Sequence, residues 1–380
     1  MNAVTETMTP DERLWAAIRL ERPDRVPVVP MLLPEPAATL AGVSQAEVAG
    51  DVETAVKAIF QAFDEVGGWE NPYPACYAPL QLQASGIFPL PMRIPGVDLA
   101  DDIPYQLDEK ELLLPEDYET LAELGFERFY YDDYLWRLGN LKRDELPRIQ
   151  AAVAQGGALF LQECTRRDTR PLFLAGELHP FFLLSLMRSM VPFTQDLYYA
   201  PEPVERVLER MTDDLIAKQL PFAKQSGIDV CVLTEERASC FFFPPAIFER
   251  FWWPYTRRIV EAFWAEGIVT LFHLDTSWDE NLPYFKELPR GSAILELDGN
   301  TDMLAAKELL RGHLCLKGDV PAALLSIGTV EEVEAYCRRL IDSVGDDGGF
   351  ILSSGCSVPA DIRPENFRAM IETGKHHAPR

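Results

Sequence analysis

Val269-Thr-Leu-Phe-His-Leu-Asp275 is an apolar run too short for a helix and rich in β-branched and aromatic residues, as strands buried on both faces are. Similar runs lie at Pro171–Ala175, Asp229–Thr234, Ala293–Leu297, Leu314–Lys317 and Phe350–Ser353. Helical patterns separate most of them. One runs from Pro244 to Glu266 with Phe248, Trp252, Tyr255, Ile259 and Phe263 at helical spacing. Another opens on a capping box, Thr329 with Glu332, continues through Val333, Cys337, Leu340 and Val344, and stops at Gly345. Strand, loop, helix and strand in repetition specify an α/β protein with a parallel sheet. With Arg25-Val-Pro-Val-Val-Pro30 as one more short strand, about seven candidates accumulate. That number favours an eight-stranded (β/α)8 TIM-like barrel, one strand unrecognised, over an open doubly wound sheet. No G-x-G-x-x-G or Walker A sequence follows any strand, so dinucleotide and P-loop readings are weak.

Outward from this core the pattern loosens. Thr9, Pro10 and Glu12 announce a first helix ahead of Leu14 and Ile18. Residues 70–115 are rich in Pro, Gly and aromatics with no clean period. Residues 116–155 are charged, helical at both ends, and carry the aromatic run Phe129-Tyr-Tyr-Asp-Asp-Tyr134. Residues 1–380 therefore read as one barrel domain with an irregular and helical N-terminal extension, in which 70–155 is an inserted or capping excursion.

The chain carries 60 Asp plus Glu against 35 Lys plus Arg, a net charge of −25, which repels phosphate backbones and anionic membranes. No segment reaches the length of a membrane span or has the form of a secretory signal. Seven scattered cysteines are not a disulfide framework. These features predict a cytoplasmic protein and leave monomer and homodimer equally open. His376 and His377 sit in a polar tail that reads as unstructured.

Chemistry collects at the strand ends. Asp229–Thr234 is followed by Glu235 and Glu236, Val269–Phe272 by His273 and Asp275, and Ala293–Leu297 by Asp298. Leu314–Lys317 leads to Asp319, and Phe350–Ser354 leads through Gly355 to Cys356. In a parallel barrel all of these line one rim. Singly, His273 reads as a hydrogen-bonded structural histidine and Cys356 as a packed thiol. Together they make a borderline-soft metal site: His273, Cys356 and a carboxylate from Glu236 or Asp275 suit a zinc with an open position.

Met8-Thr-Pro-Asp-Glu-Arg13, Arg22-Pro-Asp-Arg-Val-Pro27, Ser353-Ser-Gly-Cys-Ser-Val-Pro359 and Pro364-Glu-Asn-Phe-Arg-Ala-Met370 resemble the uroporphyrinogen decarboxylase superfamily. The likeness covers nearly the whole chain and is strongest from Phe272 to Gly374. Within the superfamily it is most similar to the cobalamin-dependent methyltransferases. Their zinc site is a His-x-Cys at one strand end with a distant Cys in a Gly-Cys segment, matched here by His273 and by Cys356. The middle position is Asp275 instead of Cys, a departure from the branch that methylates coenzyme M. His273-Leu-Asp-Thr-Ser-Trp278, Leu297-Asp-Gly-Asn-Thr-Asp302 and Lys317-Gly-Asp-Val-Pro321 look more like the branch that demethylates methoxylated aromatics, where a Glu upstream of the His is implicated in metal binding. Decarboxylases of the superfamily carry an Arg-Gln-Ala-Gly-Arg segment after the first strand; this chain has Met31-Leu-Leu-Pro-Glu-Pro36.

The resemblance implies a zinc-dependent methyltransferase that moves a methyl group from a methoxylated aromatic to the Co(I) corrinoid of a partner protein. No Asp-x-His-x-x-Gly segment for corrinoid binding is present, so a separate corrinoid carrier protein is expected. The implied metal ligands are His273, Glu236 and Cys356. Asp275 or Asp298 would orient His273 or complete the coordination, and Glu235 would protonate the leaving oxygen. Three alternatives remain: methyl transfer from methylcobalamin to a thiol or folate, decarboxylation of a tetrapyrrole, and a non-catalytic module that binds the corrinoid carrier.

Overall fold

The computed structural model describes residues 6–378. A small antiparallel ribbon, β1 (Met92–Arg93) with β2 (Gln106–Leu107), precedes the main sheet. That sheet is parallel and follows chain order through β3 (Ala175–Leu178), β4 (Val230–Glu235), β5 (Val269–Leu274), β6 (Ala293–Leu297), β7 (Cys315–Val320) and β8 (Phe350–Ser354). Helices follow the strands. β5, β6, β7 and β8 are buried throughout, which is why their sequences are nearly continuous apolar runs.

The order continues past β8 without further ladders. Val29 N–H donates to Leu352 O at 2.9 Å, and Leu352 N–H donates to Pro27 O at 2.9 Å. Glu70 N–H donates to Val28 O at 3.1 Å, and Leu172 N–H, just ahead of β3, donates to Pro72 O at 3.0 Å. Segments 26–30 and 70–73 thus take the two places between β8 and β3. One or two backbone hydrogen bonds to each neighbour hold them, because Pro27, Pro30, Pro72 and Pro74 have no N–H to give a ladder. Residues 70–73 are the strand position that the sequence hides.

Other elements differ from expectation for local reasons. The helix expected over Pro244–Glu266 is two, Pro245–Phe251 and Trp253–Ala265, broken where Pro254 follows Trp252 and Trp253. The first strand of the sheet starts at Ala175, because Leu172 bonds to Pro72 instead of to β4. His376 is not in an unstructured tail: it ends the helix Pro364–His376, and His377 Nε2 lies 2.9 Å from Asp342 Oδ1. In the aromatic run 129–134, Tyr130 OH donates to Gln83 O at 2.6 Å and Tyr134 OH to Met187 O at 3.2 Å.

A buried ion cluster ties the first helix (Pro10–Ile18) to the two ladderless segments. Glu70 Oε1 accepts from Arg13 Nη1 at 2.8 Å and Arg25 Nη2 at 2.6 Å, while Oε2 accepts Val28 N–H at 2.7 Å. Asp24 takes the remaining edge of Arg13 at 2.6 Å. Burial opposes ionisation of Asp24, yet Arg13 and two backbone N–H groups outweigh it and hold its carboxyl well below the usual range. Removing one member of such a cluster strands a buried charge. Glu70→Ala is expected to lower the unfolding free energy by about 3–5 kcal/mol, read from urea denaturation. A loss below about 1 kcal/mol would contradict the clamp.

Candidate metal centre

Parallel register places His273, Glu296 and Lys317 side by side, since His273 pairs with Glu296 and Glu296 with Lys317. The three side chains share one face of the sheet, and all are buried. His273 Nε2 points toward the strand ends, 3.6 Å from Cys356 Sγ and 3.4 Å from Asp275 Oδ1. Cys356 Sγ lies 3.4 Å from Asp275 Oδ2. Ligand atoms arranged tetrahedrally at about 2.0–2.3 Å from a zinc would stand roughly 3.3–3.6 Å apart. Asp275 turns a different oxygen to each neighbour, and one donor atom from each of the three side chains lies within 4.8 Å of the other two, so small side-chain movements would close them on one cation. Asp275 Oδ1 is buried with no hydrogen-bond partner, an orphaned acceptor that a cation would satisfy. Donor chemistry agrees, because imidazole, thiolate and carboxylate all ligate zinc.

Electrostatics at the site are those of groups competing for one proton or one cation. Burial opposes charge on His273, but Cys356 and Glu296 outweigh it and raise its pKa well above 6.5. Burial also raises Asp275 and Cys356. On the far side of the ring, His273 Nδ1 faces Glu296 Oε2 at 3.4 Å. Burial alone would raise Glu296, yet Lys317 and His273 bring it down to about 2.

Two loops aim the ligands. Thr276, directly after Asp275, has φ 69°, a left-handed conformation that costs a β-branched residue about 1–3 kcal/mol. Asp298 Oδ2 accepts Thr276 N–H at 2.9 Å, and Thr301 Oγ1 donates to Thr276 O at 3.2 Å, so the strained residue is pinned from both sides. Gly355 carries Cys356 over the end of β6. A Cβ there would lie 2.6 Å from Asp298 O and 2.9 Å from Asp298 Cα, so only glycine lets the thiol approach.

The expected site residues part company here. Of the expected metal ligands, His273 and Cys356 converge, and their third neighbour is Asp275. Glu236 stands outside that group; burial first, and then the charge of Asp275, push it up to about 7. Asp298 braces the loop and does not touch His273; the carboxylate facing Nδ1 is Glu296. Glu235 faces away from His273. It lies level with Leu274, one residue past His273, and so points to the opposite face. Its carboxylate accepts Trp252 Nε1–H at 2.8 Å and the N–H groups of Arg237 and Ala238 at 2.8 and 3.1 Å, so three donors hold it on that side. Sequence reasoning misses Glu296, Lys317 and Tyr73, although a Glu inside Ala293-Ile-Leu-Glu-Leu297 and a Lys ending Leu314-Cys-Leu-Lys317 are charges in otherwise apolar strands.

Residues 173–377, more than half of the chain, match the family model for uroporphyrinogen decarboxylase (URO-D). The chain belongs to this family. It is 25% identical over 232 residues to a uroporphyrinogen decarboxylase of Syntrophotalea carbinolica, covering 61% of each chain. It is 23% identical over 176 residues to the methylcobamide:CoM methyltransferase MtbA of Methanosarcina mazei, covering 46% of this chain and 50% of that protein. The chain thus aligns with about half to three-fifths of the length of these relatives. A solved methyltransferase from Methanosarcina mazei shares the fold with a TM-score of 0.70 at 18% identity, over 97% of this chain and 98% of that one.

The geometry separates the candidate carboxylate ligands. Asp275→Ala is expected to lose bound zinc on gel filtration while Glu236→Ala retains it, read by elemental analysis of both proteins. Retention by Asp275→Ala with loss from Glu236→Ala would reverse the assignment.

Proposed function

We propose that the chain is a zinc-dependent methyltransferase that takes the methyl group of a methoxylated aromatic and delivers it to the Co(I) corrinoid of a separate carrier protein. The observation that carries this reading is Asp275 beside His273 and Cys356. A carboxylate in place of a second thiolate makes a harder donor set, suited to an oxygen of the substrate more than to sulfur. A bound zinc would supply Lewis acidity at an ether oxygen. In the transfer the alkyl C–O bond breaks, Co(I) provides the electron pair for the new Co–C bond, and the aryl oxygen leaves as a phenolate.

The chain's own residues handle the rest. Glu236 has Asp275 and His273 among its electrostatic neighbours; pushed up to about 7, it is partly protonated at neutral pH and supplies the proton to the leaving oxygen. Glu35 is likewise raised to about 7 by burial. Arg237, next to Glu236 in the chain, is committed to Glu109 at 2.7 Å. Glu35 and Glu236 both act on Tyr105, and acids gathered there disfavour a tetrapyrrole bearing many carboxylates, which speaks against decarboxylation.

The relatives named methylcobamide:CoM methyltransferases favour a second reading, transfer to a thiol. One assay separates the two. Guaiacol with cob(I)alamin is expected to give methylcobalamin, with Cys356→Ala slower by about a hundredfold or more, and vanillate, an anion, is expected to react more slowly than guaiacol. Consumption of methylcobalamin by coenzyme M with no reaction of guaiacol would establish the second reading instead.

A further inference from the structure

Inside the barrel wall, beneath the metal-site side chains, lies a charged group that the transfer chemistry does not use. Lys317 is fully buried on β7. Its Nζ donates to Glu296 Oε1 and, at 2.7 Å, to Ser353 Oγ, and it stands 5.0 Å from the centre of the Tyr73 ring. Tyr73 OH donates to the other oxygen, Glu296 Oε2, the one that faces His273 Nδ1. Both oxygens of Glu296 are therefore gripped, one by an ammonium and one by a phenol.

Stability is a poor reason for this arrangement. Burying an ion pair strips both ions of their hydration, and hydrophobic replacements of similar volume are often as stable or more so. Barrel interiors are ordinarily filled by Val, Ile and Leu. What the pair does fix is the position of Glu296 Oε2. At 3.4 Å from Nδ1 the contact is longer than a formed hydrogen bond, so the grip on the carboxylate decides where the acceptor stands when the ring settles. An acceptor at Nδ1 selects the Nδ1–H tautomer and leaves the Nε2 lone pair directed at Asp275 and Cys356.

We propose that Lys317 and Tyr73 are positioning residues for the metal ligand His273: by holding both oxygens of Glu296 they fix the tautomer and orientation of the ring. This rests on the reading of His273, Asp275 and Cys356 as a metal site. Supporting residues of this kind typically change metal affinity by about 10–100-fold when removed.

The test is a thermodynamic cycle on zinc affinity, measured by competition with a chromophoric chelator, for wild type, Lys317→Met, Glu296→Gln and the double variant. Each single variant is expected to bind zinc about 10–100-fold more weakly, and the double variant to lose no more than the worse single one, because Lys317 acts through Glu296. Tyr73→Phe, a milder change that keeps the ring, is expected to weaken binding in the same direction. The second readout is independent of metal. Nitrogen-15 NMR of the metal-free His273 ring, recorded at a pH above its raised pKa so that the imidazole is neutral, is expected to show one Nδ1–H tautomer in wild type and a mixture in Lys317→Met. Wild-type zinc affinity in folded Lys317→Met, additive losses in the double variant, or an unchanged tautomer would each overturn the proposal. Absence of zinc binding by wild type itself would sink the metal reading, and the tautomer measurement would still decide the role of Lys317.

Discussion

A charge can live inside a barrel wall only beside its partner, and that constraint organises this molecule. Register sets His273, Glu296 and Lys317 level on three adjacent strands, with their side chains on one face. Each would be expensive to bury alone. Side by side they form a relay of contacts from Lys317 to the imidazole whose other nitrogen faces Asp275 and Cys356. Strand register therefore fixes the ring, and the loops need only bring two more groups to it. They do so at some cost: Thr276 is held in a left-handed conformation, and Gly355 occupies a gap that admits no side chain.

The N-terminal clamp serves the same end from a distance. Segment 26–30 has no ladder of its own, yet it backs β8, whose end carries Cys356. Met31 N–H donates to Ser354 Oγ at 3.2 Å, and Val358 N–H donates to Met31 O at 3.0 Å, so the loop bearing the thiol is framed by this segment on both sides. Glu70, by holding Arg13, Arg25 and the Val28 N–H at once, fixes that frame. The motifs near the start and end of the chain that carry the family resemblance thus meet in space: Arg13 and Arg25 at the clamp, Ser354 and Cys356 at the edge it supports.

Much of this is legible in the amino-acid sequence. Buried parallel strands announce themselves as short apolar runs, and residues just after them fall on one rim, so His273, Asp275, Asp298 and Cys356 can be placed together. The strand position at 70–73 is not legible, because prolines remove both the β pattern and the ladder that defines a strand. The sequence assigns Glu236 as ligand and Glu235 as proton donor without showing which way each faces; the two-residue alternation of a strand sends Glu235 to the helix layer, where Trp252 holds it. Glu296 and Lys317 stay hidden because a charge within an apolar strand has meaning only once register supplies its neighbour.

The most direct test of the account is X-ray absorption at the zinc edge on zinc-loaded protein. A site built from His273, Asp275 and Cys356 predicts one sulfur scatterer at about 2.3 Å with the remaining ligands nitrogen or oxygen at about 2.0–2.2 Å. A coordination shell without sulfur, or one with two, would contradict it.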